Sequence, residues 1–341
     1  MNYRVLCSSV LALLFYINTV SAQMRWEPQT NVAGVHLRGL CVVNDSVIWA
    51  SGAGGTWITS GDAGNSWAKG VVPGADSLDF RDIHAVDKDR AWVLSAGAVG
   101  SIYYTKDRGK NWQLQYRNTR PGVFFDGFAF WNNSSGMAYS DPINGKLLII
   151  KTENSGKSWY QIDPLLLPSV LDKEAGFAAS GTGICVYGDS LVWVATGGGA
   201  RARIFKSADR GHTWSVYDTP LKSKDGAGIF SMTFKNENYG VIVGGDYVDS
   251  TNADSNCAVT QDGGVTWQLQ TIKNPRGYRS CVAFVLGDKL ISTGRTGSDV
   301  SDNFGITWKY FSEAGYYACD CTERLCWAVG RNGKIAYLDF R

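Results

Sequence analysis

Proline and methionine are scarce in this chain, at 8 and 4 of 341 residues, and neither sign of charge prevails: 33 Lys and Arg against 31 Asp and Glu leave a formal net charge of +2. That balance excludes the clustered basic excess of a nucleic-acid footprint, so no nucleic-acid partner is expected. Beyond residue 22 no apolar run approaches the ~20 residues of a membrane span. Glycine is abundant, at 40 residues, and aromatic side chains make up 13%, including 13 Trp. A content of 44% hydrophobic and 19% charged residues excludes a disordered chain. The glycine and aromatic excess favours many short strands and tight turns over a helical bundle.

Residues 1–22 read as a secretory signal. Arg4 supplies the positive start, Val5–Ile17 the apolar stretch, and Val20-Ser21-Ala22 the small residues before a cut ahead of Gln23. The apolar stretch is too short to span a bilayer. The mature chain, 23–341, is therefore expected to be soluble and either secreted or periplasmic, in a compartment that permits disulfides. Removing Cys7 with the leader leaves seven cysteines, an odd number. Cys319 and Cys321 share a strand face and are poor partners for each other, whereas Cys321 and Cys326 flank a four-residue turn and can meet across a hairpin. No His lies near them in a zinc spacing, so no metal site is assigned. Cys41 and Cys185 read as small buried fillers.

An internal repeat organises the chain. The pattern Ser/Thr-x-Asp/Asn-x-Gly-x-Ser/Thr/Asn-Trp begins at Ser60, Thr105, Thr152, Ser207, Thr260 and Ser301, at intervals of 41 to 55 residues. Its residue types suit a tight turn between strands. The Asp or Asn accepts from backbone N–H groups just ahead, Gly tolerates a positive φ, and Trp opens the next strand with a large face for a neighbouring unit. Upstream of each box come two apolar runs, such as Ile83–Val86 and Ala91–Ser95. Each unit thus reads as strands a, b, c and d, with the box joining c to d, which describes a propeller blade.

Six box tryptophans, Trp67, Trp112, Trp159, Trp214, Trp267 and Trp308, open strand d of six units. After Trp308 there is room for strands a, b and c of a seventh, but no box follows. Trp26-Glu27-Pro28-Gln29 resembles the start of strand d, and Trp26 precedes Trp67 by 41 residues, the shortest repeat interval. The expected fold is all-β, a seven-bladed propeller whose last blade is completed by the amino-terminal strand, which removes open sheet edges.

The boxes resemble those of the BNR, or sialidase-type, propellers. The unit phrase Trp-Ala-x-Gly-x-x-Gly followed by Thr-x-Asp-x-Gly-x-Thr-Trp resembles more closely the photosystem II stability/assembly factor-like family, over essentially the whole mature chain. That resemblance implies an extracytoplasmic seven-bladed ring that binds partner polypeptides and is not an enzyme. The motifs specify fold strongly and chemistry weakly, and no residue of that family's arginine-rich face matches here motif by motif.

In such a ring the d-to-a and b-to-c loops share one face. The long connections Pro164–Ser180, Thr219–Gly228 and Gly244–Asn256 fall there, which makes it the expected binding face. The candidate rim residues are Arg38, Arg81, Asp82, Asp126 and Arg279 just before strand a, with Asp141, Arg203, Asp246 and Arg295 in b-to-c loops. Charges around a central channel suit a protein partner or a small anionic or glycan ligand. A monomer without cofactor or catalytic residue is expected. His84 alternates inward on an apolar strand and reads as a core histidine.

Two enzymatic alternatives stand beside this reading. A sialidase-like glycosidase needs an arginine triad, nominally Arg38, Arg81 and Arg279, but Phe80-Arg81-Asp82-Ile83 is only an echo of that family's Phe-Arg-Ile-Pro signature, and sialidases of this type have six blades. An oxidoreductase is suggested by Gly197-Gly198-Gly199-Ala200-Arg201-Ala202, which fits G-x-G-x-x-A. A dinucleotide fingerprint must open a helix, whereas the residues after this one run on as strand c.

Overall fold

A computed structural model describes residues 24–29 and 34–340; the leader assigned to residues 1–22 lies outside them. The chain forms seven four-stranded antiparallel sheets arranged as the blades of a propeller. Blade 1 comprises strands a–d at Leu37–Val42, Ile48–Gly52, Thr56–Ser60 and Ala68–Val71, and blade 2 those at Asp79–Ala85, Ala91–Ala96, Gly100–Thr105 and Gln113–Asn118. Blades 3 to 6 follow in order over residues 125–161, 184–218, 227–269 and 281–312. Blade 7 takes Ala318–Cys321, Leu325–Val329 and Ile335–Asp339 as a, b and c, and Glu27–Pro28 as its strand d. The only helical turns among the described residues are the 3₁₀ turns Pro164–Leu166 and Arg331–Gly333. No helix of the described residues is long and apolar enough to cross a membrane.

Ring closure is local and specific. Glu27 pairs with Tyr337 and Pro28 with Ala336. Trp26, 5% exposed, packs on Tyr316 at 5.2 Å and Phe311 at 6.1 Å, and its indole N–H donates to Ser298 Oγ at 2.9 Å. The last of these ties the amino terminus to blade 6 as well as blade 7.

Every box makes the same turn. In the first, Asp62 Oδ1 accepts from Ser66 N–H at 2.8 Å and from Ser60 Oγ at 2.8 Å, while Ser60 Oγ accepts from Gly64 N–H at 2.9 Å. Asp209 and its neighbours Ser207, Gly211 and Thr213 repeat this pattern, and Asn154 and Asn303 replace the carboxylate in two boxes. The residue before the box Gly is also left-handed, as at Arg108 (φ 60°) and Phe304 (φ 61°), a requirement the repeat pattern did not signal. Gly64 is needed twice: its φ is +80°, and a Cβ there would lie 2.4 Å from the Trp327 ring of blade 7.

The deepest packing between blades comes from strand b rather than from the box tryptophans. Trp49, Trp92, Trp193 and Trp327 are buried to 1% exposure or less, whereas five of the six box tryptophans are half-buried. Indole N–H groups of strand b reach into the next blade, Trp92 to Ser155 O at 3.3 Å and Trp193 to Gly263 O at 2.8 Å, both carbonyls of a box. The box Trp67 still packs edge-on against Trp327 of the neighbouring blade, as its position suggested.

Cys321 and Cys326 face each other in register across the blade 7 hairpin and form a disulfide. Cys41 and Cys185 are half-buried rather than buried, because they face the central channel. His84 also lines that channel and stacks on Phe130 at 4.6 Å, where burial lowers its pKa to about 4.

Trp26→Ala is expected to cost about 3–5 kcal/mol by analogy with other buried aromatic truncations, read as a lowered denaturant midpoint; an unchanged midpoint would remove the closure argument. The boxes supply a second outcome. Burial alone would raise the Asp209 carboxyl, but hydrogen bonds from Thr213 and Ser207 hold it at about 2, below its ordinary 3.8. A depressed native pKa contributes stability above the ordinary value that is lost as pH falls through the native one. Stability should therefore fall between pH 3.8 and about 2, and fall less in a D62N/D107N/D209N/D262N variant, as followed by urea denaturation across that range.

Candidate functional site: the channel mouth

Strand a carries a β-bulge at its outset in blades 1, 2, 3 and 5. The extra residues are Arg38, Arg81, Asp126 and Phe230. A bulge re-aims the residue it inserts, so one position per blade points toward the channel. Strand a therefore begins earlier than the sequence suggested, and Arg38, Arg81, Asp82 and Asp126 lie within it. Arg203 opens strand c of blade 4, and Asp141 and Asp246 belong to strand b of their blades.

The mouth on the loop-rich face is a cavity of about 430 Å³. Its cationic lining is Arg38, Arg81, Arg295 and Lys173, and its aromatic lining is Phe124, Phe177, Phe230, Tyr247, Tyr278 and Tyr317. Arg38 lies over the Tyr317 ring at 4.1 Å, and burial together with the nearby Arg81 lowers its pKa. Arg81 is held by Asp79 at 2.8 Å and donates to Ala178 O at 3.3 Å. Arg295 is exposed and bonds the Tyr247 carbonyl.

The connection between blades 3 and 4 crosses the channel and floors this mouth. Phe177 stacks on Phe230 with ring centroids 3.9 Å apart, and Tyr278 meets Phe230 edge-on at 4.7 Å. Its anchor is an ion pair: Glu174, with its side chain 0% exposed, binds Arg203 and accepts from Thr196 Oγ1 at 2.5 Å and Leu171 N–H at 2.7 Å. Ala175 and Gly197 exchange backbone hydrogen bonds at 2.9 and 3.0 Å. The glycine run exists for this approach. A Cβ on Gly197 would sit 2.5 Å from Gly228 Cα, and one on Gly198 would sit 2.8 Å from Lys173 O. Strand Arg203–Ser207 follows, so no helix is opened for a dinucleotide.

The nine nominated residues separate by role. Arg38, Arg81 and Arg295 line the mouth. Asp141 accepts from Gly176 N–H at 2.9 Å beneath the floor, and burial raises its pKa to about 6. Asp126 is buried there too, and burial and Asp141 push its pKa well above the carboxylate range. The other four hold the scaffold. Asp82 accepts from Ile83 and Phe128 N–H, each at 2.8 Å, and so ties blade 2 to blade 3. Arg203 anchors the floor, and Asp246 caps Val248 N–H at 2.9 Å and pairs with Lys224 at 2.7 Å. Arg279 is 0% exposed and turned onto Asp299 at 2.6 Å, so it does not join Arg38 and Arg81 on a shared carboxylate.

Sequence reasoning passed over the aromatic half of the mouth. The signal was present: aligned at strand a, Leu-Arg-Gly, Phe-Arg-Asp, Ile-Phe-Ser and Tyr-Tyr-Ala place Phe230 and Tyr317 with Arg38 and Arg81.

The model of the family described as photosynthesis system II assembly factor YCF48 matches residues 8–148. A solved structure of YCF48 bound to D1 peptide superposes with a TM-score of 0.65 at 13% identity, covering 93% of this chain and 97% of that one. YCF48 from Cyanidioschyzon merolae gives 0.64 at 15%, covering 92% and 98%. The family match spans less than half of this chain, and what the superpositions share with it is the seven-bladed β-propeller fold. A catalytically inactive virginiamycin B lyase from Staphylococcus aureus, solved with quinupristin, reaches 0.67 at 12% identity over 94% and 99% of the two chains. At such identities the superpositions speak for the fold alone. No curated protein matches by sequence.

Glu174→Ala would leave the Arg203 guanidinium buried and unpaired. Breaking a buried pair in this way costs about 3–5 kcal/mol. The expected outcome is a lower unfolding midpoint with early protease cleavage between residues 169 and 178; wild-type resistance at that segment would show that the pair does not anchor the floor.

Proposed function

We propose that this assembly factor-like propeller is exported, secreted or periplasmic, and binds a partner polypeptide in the mouth of its loop-rich face without chemistry of its own. The observation that carries the reading is the pairing of Arg38 and Arg81, half-buried above a preformed floor, with six aromatic side chains. Arg and aromatic residues dominate the energetics of protein interfaces because they combine large contact area with directed hydrogen bonds. Guanidinium groups already stripped of much of their water gain more from an incoming carboxylate or carbonyl than exposed ones. The floor is preformed, so little ordering opposes binding. The peptide held by the structurally similar YCF48 supports this reading.

Export rests on the leader, Arg4, Val5–Ile17 and Val20-Ser21-Ala22, and on the Cys321–Cys326 disulfide, which belongs in an oxidising compartment. The glycosidase alternative loses its third arginine to Asp299. The oxidoreductase alternative loses its glycine loop to the packing of the channel floor.

The test is affinity capture from a native envelope extract with wild type and an R38A/R81A/R295A variant, followed by affinity measurement on the captured polypeptide. Truncating one interfacial hot-spot residue costs about 2 kcal/mol or more, so binding should weaken at least ~30-fold. Equal recovery and equal affinity would place the partner elsewhere.

A further inference from the structure

Two cysteines lie together at the junction of blades 6 and 7, outside both the mouth and the hairpin disulfide. Cys281 opens strand a of blade 6, and Cys319 is the second residue of strand a of blade 7. They are 0% and 2% exposed. The Cys281 thiol donates to the Cys319 carbonyl of blade 7 at 3.1 Å, and the Cys319 thiol donates to the Ile291 carbonyl of blade 6 at 3.8 Å, so each sulfur is turned into the seam between the two blades. Among the described residues the other unbonded cysteines are Cys41, Cys185 and Cys257, and the thiol of Cys257 is turned to the Gly305 carbonyl in a different blade.

The surroundings distinguish the two sulfurs. Burial alone would raise the Cys281 pKa, but contacts from the Cys319 side chain, the Cys319 backbone and Thr182 bring it below the ordinary thiol value. Thr182 Oγ1 donates to the Cys281 sulfur at 3.7 Å. The hydrogen bond with Cys281 and burial push Cys319 well above the ordinary value. The hydrogen bonds that reach Cys281 thus favour its thiolate, the reacting form, over that of Cys319.

A route to the pair exists. Below the floor the channel widens into a second cavity of about 630 Å³, whose wall includes Cys319 and Thr182. That volume admits a small organic disulfide.

We propose that Cys281 and Cys319 are a redox-active dithiol, which a small-molecule disulfide entering the lower channel converts into a bond stitching blade 6 to blade 7. The Cys281 thiolate attacks one sulfur of the entering disulfide, forming a mixed disulfide and releasing one thiolate, which takes up the proton Cys281 has lost. Cys319 gives its proton to the second leaving sulfur as it attacks Cys281 Sγ. Two electrons pass from the protein to the entering disulfide, which departs as two thiols. The site is independent of the binding proposed for the mouth.

The experiment treats the folded, full chain with oxidised glutathione, blocks remaining thiols with N-ethylmaleimide in denaturant, and maps peptides by mass spectrometry without reduction. A peptide joining Cys281 to Cys319 is expected, with alkylation of the two lost together and restored by dithiothreitol. Cys319→Ser should trap one glutathione on Cys281, while Cys281→Ser should leave Cys319 free. Full alkylation of both wild-type thiols after treatment overturns the proposal, as does oxidation that joins either one to Cys41, Cys185 or Cys257. The wild-type map decides the matter even where a variant fails to fold.

Discussion

A ring of blades has one seam, and in this chain two backbone pairs and one indole close it. Glu27 and Pro28 lie against Tyr337 and Ala336, and Trp26 fills the space between blades 6 and 7 while donating to Ser298. Everything else depends on that contact. Each of the other blades is built from one continuous stretch of chain, but blade 7 takes its outer strand, Glu27–Pro28, from far away in the sequence. Pro28 suits the outer position, since a proline on an edge strand gives up no ladder hydrogen bond.

Once closed, the ring is held by interactions that run between blades rather than within them. Strand-b tryptophans reach into the next blade, Trp92 and Trp193 to box carbonyls. Asp320 accepts from Val42 N–H at 2.7 Å, joining blade 7 to blade 1, as Asp82 joins blade 2 to blade 3. Such contacts bury polar groups only because each finds a partner on the adjacent blade. The scaffold therefore holds the bulged strand-a residues in place around the channel, and a rigid frame of this kind lets a few loops carry recognition.

The channel is divided by the connection between blades 3 and 4. Above it stands a mouth of arginines and aromatic rings; below it lies a cavity walled by cysteines, His84 and aliphatic side chains. Glu174 and Arg203 hold the divide, and the glycines 197–199 let its backbone pass close to blades 4 and 5. Two chemically distinct compartments in one ring follow from a single inserted segment.

Residues alone determined the architecture, because the box is a local device. Serine or threonine, Asp or Asn, and Gly at fixed offsets close one turn whatever lies beyond it, so six copies count six blades and an orphan Trp26 points to the seventh. The Cys321–Cys326 hairpin was legible for the same reason. Tertiary structure decided which charges face solvent. Arg38 and Arg279 both lie at the start of strand a, yet Arg38 lines the mouth while Arg279, at the place Leu37 takes in blade 1, is buried on Asp299. A strand-a bulge in blade 1 and an acidic partner on strand c of blade 6 make the difference. Phe177, Phe230 and Tyr317 likewise became one wall only when blades distant in sequence were brought around a common axis. Offsets along the chain encode turns, whereas a site built from seven blades depends on contacts between residues far apart in the chain.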